Sequence, residues 1–316
     1  MERHTYKIIP LAEISREFPF VARYRLSDPL LWGSVARKGV LQPIVVTQER
    51  QILSGHKRFL AAGAAGLQEI PAFEISGAKN PADFYWLALF SNWKQVMSEL
   101  DRAWAIQRAI SDFKIDEKNV IEEILPALGL EPQRHFLEEY CETAALAPPV
   151  LEAIQDGKLP FRGARVLCRF SKSDQADFAG LIAARAALTS NQLLKTGDCL
   201  FDLLKLKNVS LAVFLKSSGL GDVLELSPDR RQKGEKFCAA LRALRFPGLV
   251  QKEKEFASLA EKIEAGHEFS LEAPSFFEGE GLTLRAKLTN PEALEQLASV
   301  LERKRKLFNS LFDIML

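Results

Sequence analysis

Two stretches decide the fold: Gly39-Val40-Leu41-Gln42-Pro43-Ile44-Val45-Val46, and then Ile52-Leu53-Ser54-Gly55-His56-Lys57-Arg58-Phe59-Leu60-Ala61-Ala62. In the first, Pro43 to Thr47 is a β-branched strand, and Gln51-Ile52-Leu53 pairs with it across the Gln48-Glu49-Arg50 turn. In the second, that partner strand ends at Gly55, which opens a helix from His56 to Ala65 closed by Gly66. The first-turn N–H groups of such a helix are unpaired and point outward with the positive end of its dipole. Gly55 allows close approach to the backbone, and Lys57 and Arg58 add two charges to the same turn. An anion, most naturally a phosphate, fits there. A solvated pair of charges at the start of an ordinary helix fits the same residues equally well.

Working outward, Lys7-Ile8-Ile9 is a brief apolar start. Ser27-Asp28-Pro29 opens a helix running to Lys38 and stopping at Gly39. Ile70 to Ile75 is the next strand, so residues 1–80 read as a small α/β domain. Residues 81–198 are almost wholly helical, with alanine and leucine at helical spacing. Within them Val120–Leu128, Gly129 and Gln133–Leu146 form a helix-turn-helix pattern ended by Pro148-Pro149, and Pro126 should kink or shorten its first helix. Residues 199–316 read as an α+β domain. Helices near Arg230–Leu244 and Glu253–Ala265 precede a hairpin, in which Phe269–Phe277 and Leu282–Leu288 flank Gly279-Glu280-Gly281. Asn290-Pro291-Glu292 opens a final helix, on which Leu294, Leu301, Phe308 and Met315 recur every seven residues with Lys304-Arg305 between them. Packing of that helix onto its own domain is the expected reading, ahead of a dimer seam. The fold class is therefore multidomain α+β.

Composition narrows the function. With 42 Lys plus Arg against 41 Asp plus Glu, the net charge of +1 excludes a uniformly basic nucleic-acid coat, so any contact with a polyanion must be local. The N-terminal residues lack the apolar core of a signal peptide and no run of eighteen apolar residues occurs, so a cytoplasmic protein without membrane contact is expected. The four cysteines lie far apart without C-x-x-C spacing, which points to reduced thiols and away from a zinc site.

These residues resemble the N-terminal domain of ParB-type chromosome and plasmid partition proteins, within the ParB/sulfiredoxin superfamily. Gly39 to Val46 is similar to the family's G-x-x-Q-P-I-x-V segment. Ser54 to Ala62 falls where the family has G-E-R-R-x-R-A, with His56-Lys57-Arg58 in place of Glu-Arg-Arg. Gly66 to Pro71, Ile9 to Ile14 and Arg23 look like neighbouring family boxes, and Leu87 to Asn92 sits where a Glu-Asn-x-x-Arg motif is usual. The resemblance runs from Lys7 to Leu181. It implies CTP as cofactor, with Gly55, His56, Lys57 and Arg58 at the triphosphate, Gln42, Pro43 and Ile44 beside the nucleotide, and Asn92 in contact with it. It also implies DNA and a ParA-like ATPase as partners, a homodimer, and a bacterial, nucleoid-associated role. Both family carboxylates that would handle Mg²⁺ or water are replaced, by His56 and Ser91, and the third motif's Arg is Gln95. Nucleotide binding is thus expected without efficient hydrolysis, no metal ligands are assigned, and the catalytic residues are left open. Sulfiredoxin chemistry needs a cysteine where His56 stands. Two alternatives remain: a catalytically degenerate interaction adaptor, and a small-molecule kinase of the kind that carries Gly-His-His-Arg.

For DNA, the candidate second helix offers Gln133, Arg134 and His135 near its start. Yet Asp112 to Glu142 holds nine acidic and three basic residues, which would repel a duplex unless the carboxylates face away. Arg162, Arg165 and Arg169, within a +4 stretch from Asp156 to Lys172, are the better phosphate-facing candidates. A solvated helix face explains the same run.

Overall fold

The computed structural model describes residues 3–76, 80–91, 97–225, 229–265, 267–279 and 281–315. Residues 3–76 build a four-stranded sheet of order β1-β4-β2-β3, from β1 (Arg3–Pro10), β2 (Ile44–Thr47), β3 (Ile52–Ser54) and β4 (Glu69–Ser76). Strands β2 and β4 are parallel, and the other two pairings are antiparallel. The apolar start expected at Lys7-Ile8-Ile9 is one part of the eight-residue β1. Helix α1 (Pro29–Lys38) begins as its sequence requires, with Pro29 in the first turn and the Asp28 carboxylate accepting from Leu31 N–H; Gly39 ends it at φ 69°.

Alternation along the strands divides the sheet between two cores. One face sets Ile9, Ile44, Val46, Ile52, Ile70 and Ala72 against Val35 of α1 and against Phe59 and Ala62 of α2 (His56–Ala64). From the other face, Leu53 and Ile75 join a larger helical core through Tyr85, Ala88 and Leu89 of α3 (Pro81–Phe90). Tyr85 is fully buried; its hydroxyl donates to Ala105 O at 2.8 Å in α4 (Glu99–Ser111), and its ring stacks on Phe113 at 4.1 Å.

The helix-turn-helix is present. Its first arm is a helical stretch over 117–127, which widens into a π-turn at Val120–Ile124, one residue short of Pro126. A proline ring clashes with the carbonyl four residues back and donates nothing, so widening the preceding turn accommodates it. Gly129 turns the chain at φ 74°, and the second helix is Arg134–Ala144. Pro148-Pro149 then starts a further helix, Pro148–Gln155. Helix Ser190–Lys207 runs through the expected boundary at 198/199, and the helical core continues to Phe237 and Leu241.

A third apolar cluster, including Phe256, Ile263, Leu271, Val300 and Leu311, lies in the last part of the chain. There β5 (Phe269–Glu272) pairs antiparallel with β6 (Thr283–Ala286), and Glu280 of the expected hairpin loop lies outside the described residues. The expected single final helix is two, Pro291–Arg303 and Arg305–Met315. The break falls at Lys304, whose ammonium donates to Lys262 O and Ile263 O at 2.9 and 2.8 Å. Those carbonyls belong to the end of helix Pro247–Glu264, where unpaired acceptors and the negative dipole end attract a cation. Leu297, Leu307 and Phe308 pack within this unit, while Leu294 is exposed. The four cysteines are free thiols, and Cys168 is the exposed one. Among the described residues no helix is long and apolar enough to cross a membrane.

Candidate functional site

A cleft of about 370 Å³ opens at the N-terminus of α2, between α1, the loop through Arg23 and Leu26, and Met97. Gly55 precedes the helix at φ 98°, in the left-handed region that favours glycine. A Cβ there would lie 2.7 Å from Ile44 Cγ2 and 3.2 Å from Arg58 Nη2, so space as well as backbone demands glycine. No side chain caps the first turn of α2.

The two basic residues of that turn have different tasks. Lys57 Nζ lies 3.2 Å from Asp28 Oδ2, and both groups are part-exposed on the cleft wall. Asp28 is held below the usual carboxylate range, first by the Leu31 N–H and then by Lys57. Arg58 donates to Gln42 O at 2.8 Å and to Pro43 O at 2.6 Å, so its guanidinium fixes the entry into β2. Burial lowers its pKa. Gln42 lines the cleft, whereas Ile44, expected beside the nucleotide, is fully buried in the sheet core under Gly55.

His56 departs from the picture of a basic turn. It is 7% exposed, its ring meets Phe18 edge-on at 5.2 Å, and its Nε2 has no hydrogen-bond partner. Burial, assisted by the nearby Arg108 charge and opposed by a hydrogen bond to the Ile52 backbone, pushes its pKa down to about 4. It is therefore neutral near pH 7 and adds no positive charge to the site.

Arg23 completes the cationic wall and ion-pairs with Asp101 at 3.2 Å. Asp101 also accepts from Tyr24 N–H at 3.0 Å and forms a capping box with Ser98 at the start of α4. Arg108 of α4 donates to Val21 O and Pro19 O at 2.7 and 2.6 Å, so α4 fastens the loop that carries Arg23. Sequence reading found Arg23 through resemblance alone and missed Asp101 and Met97, because their partners lie far away along the chain. Asp28 was recognised only as a helix cap. Asn92 and Gln95 lie outside the described residues; Ser91 donates to Ala88 O at 3.0 Å at the end of α3. Among the described residues no group of three or more His, Cys, Asp or Glu could hold a metal ion.

The DNA candidates are separated by their partners. Gln133, Arg134 and His135 are exposed at the start of the second helix. Arg134, however, pairs with Glu117 at 3.3 Å and Glu138 at 3.1 Å, and Gln133 donates to Glu131 at 2.8 Å. Arg165 is paired with Glu142, and Arg169 with Asp198, so the sequence count of +4 is not the charge presented in space. Arg162 is exposed and has no ion pair among the described residues.

Comparison with known proteins places residues 21–82 in the match to the ParB N-terminal domain family. A probable chromosome-partitioning protein ParB of Coxiella burnetii is 30% identical over 159 residues, covering 49% of this chain and 52% of that protein. The chromosome-partitioning protein ParB of Myxococcus xanthus is 28% identical over 165 residues, covering 50% and 53%. The chain thus spans about half the length of these relatives. Among solved structures, the truncated ParB of Caulobacter crescentus complexed to the centromeric parS site covers 61% of this chain and 98% of its own, at 19% identity and a TM-score of 0.37.

Proposed function

In this chain, which carries a ParB N-terminal domain and is a divergent relative of the ParB-type chromosome-partitioning proteins, we propose that the cleft at the start of α2 binds the phosphates of a nucleoside triphosphate, CTP being the one the resemblance implies. The observation that carries this reading is the uncapped N-terminus of α2, opening into a cleft that Arg23, Lys57 and Arg58 line. Its volume of about 370 Å³ is within the range of small-molecule sites. Lys57 is the mobile phosphate ligand, Gly55 and the first-turn amides are the fixed ones, and Arg58 holds the cleft wall. Mg²⁺ fits poorly. Among the described cleft-lining residues Asp28 is the one carboxylate, and it is already engaged by Lys57 and Leu31.

The wider role proposed is partition of a chromosome or plasmid, or control of transcription, by a cytoplasmic homodimer that contacts DNA through the helical region and responds to a ParA-like ATPase. Three units are proposed to serve it, one around each apolar cluster. A second reading, an interaction adaptor that keeps the fold without turnover, is favoured by His56 and Ser91 standing where the family has carboxylates. Magnesium-dependent phosphate release at the rate of intact family members would remove it.

The test is equilibrium binding of CTP, ATP, GTP and UTP to the wild type and to Lys57→Ala. CTP is expected to bind, and the variant to bind about tenfold more weakly, as loss of one charge-assisted hydrogen bond implies. Absence of binding by all four nucleotides rejects the reading. Arg58→Ala is the poorer probe, since it also frees the Gln42 and Pro43 carbonyls.

A further inference from the structure

His56 is the first residue of α2 and lines the cleft, yet it is neutral and cannot serve there as a simple cation. The ring's hydrogen bond is to the Ile52 backbone and Nε2 has no partner, so a neutral ring with its proton on Nδ1 carries its lone pair on Nε2. Nε2 is also the one buried side-chain nitrogen or oxygen of the cleft-lining residues, within the described part of the chain, that lacks a hydrogen-bond partner. Leaving such an acceptor buried and unmatched is costly, so a group that supplies the missing donor gains in proportion. The surrounding charges are Arg108 from α4, Lys57 and Arg58 from α2 itself, Arg23 with its partner Asp101, and Asp28 ahead of α1; β3 contributes none. Such a wall calls for an anion, while its one unmatched atom calls for a proton.

Resting on the nucleotide reading above, we infer that the cleft takes a terminal phosphate together with a proton, and that His56 Nε2 accepts that proton. The ligand class is a terminal phosphate rather than a sulfate or a phosphodiester, because a terminal phosphate has a second pKa of about 6 and can share a proton near neutrality. Where the phosphate is monoprotonated, its own hydroxyl donates to Nε2. Where it is fully ionised, the proton comes from solvent and the imidazolium donates to the phosphate oxygen. No covalent bond is made or broken in either case. Ligand binding is therefore coupled to proton uptake at a residue that is neutral in the free protein.

The test is calorimetric titration of the full chain with CTP and with inorganic tripolyphosphate, each at about pH 7.5 in buffers of differing ionisation heat. Wild type is expected to take up more protons per ligand than His56→Gln, the difference approaching one. Its affinity should also fall more steeply than that of the variant as pH is raised above neutrality. Binding by both proteins with equal proton uptake overturns the inference and leaves the nucleotide reading standing. Failure of both ligands to bind wild type removes the two together. The His56 ring resonances of wild type, followed by NMR with saturating tripolyphosphate, give a readout that does not depend on the variant folding. Protonation on binding is expected at about pH 7.5, where the free phosphate is fully ionised, and a ring that stays neutral there with the ligand bound overturns the proposal.

Discussion

His56 titrates near 6.5 in an unfolded chain and at about 4 in the folded protein, because burial and the nearby Arg108 both oppose its charged form. Between those values the unfolded state holds the extra proton, so stability rises with pH. The contribution is fully present above about pH 6.5 and is lost as pH falls towards 4. A gap of roughly 2.5 units corresponds to about 3 kcal/mol at about 1.4 kcal/mol per unit. Urea unfolding of the wild type across this window should show that slope, and His56→Gln should flatten it; parallel slopes would count against a buried neutral ring. None of this was legible in Gly-His-Lys-Arg read alone, where His56 stands only as the replacement for a family glutamate. The ring is covered by Phe18, which approaches from a loop thirty-eight positions upstream.

At the scale of elements, what the sequence carries locally is what reading recovered. Asp28-Pro29 and Gly39 bound α1 as expected, and the β2–β3 pair with Gly55 behind it was legible because strand, turn and cap signals agree within about a dozen residues. The break at Lys304 was not legible, because its cause is a set of carbonyls on another helix some forty residues earlier. The basic stretch after the helix-turn-helix misleads for the same reason. Glu142 lies 23 positions from Arg165, and Asp198 lies 29 from Arg169. If this face meets DNA, Arg162 should matter most. Arg162→Ala is expected to weaken binding several-fold and to reduce the salt slope by about one. Arg165→Ala and Arg169→Ala should each do less, since Glu142 and Asp198 already balance those charges. Fluorescence anisotropy over a salt series checks this, and equal effects of all three substitutions would reject it.

Across the whole molecule, the change in composition along the chain marked an α/β start, a helical middle and an α+β end, but it could not show where one core stops. Leu200, Leu203, Phe214, Phe237 and Leu241 are buried in the same cluster as Tyr85 and Leu100, so the middle core needs residues well beyond 198. The C-terminal cluster begins at Phe256 and shares none of its buried members with the middle. A chain ending at Phe246 is therefore expected to keep cooperative unfolding and the cleft. A chain ending at 198 cuts helix Ser190–Lys207, removes those five buried side chains, and should fail to fold cooperatively. Circular dichroism melts of the two chains decide the matter, and cooperative melting of the shorter one would refute the assignment.

The contact between Lys57 and Asp28 has a consequence for ligand choice. The ammonium already has a resident carboxylate at 3.2 Å, so an incoming anion binds by exchange rather than by filling an unmet charge. A small monovalent ion such as chloride or acetate offers little that Asp28 does not already supply, and gains little by displacing it. A ligand with several oxygens can engage the ammonium, the guanidinium of Arg23 and the bare amides of α2 together, and so outcompete a partner tethered at one point. If the cleft takes a phosphate ligand as proposed, this internal counter-ion would act as a filter, disfavouring the simple salts of the surroundings and leaving the cleft open to polyphosphates.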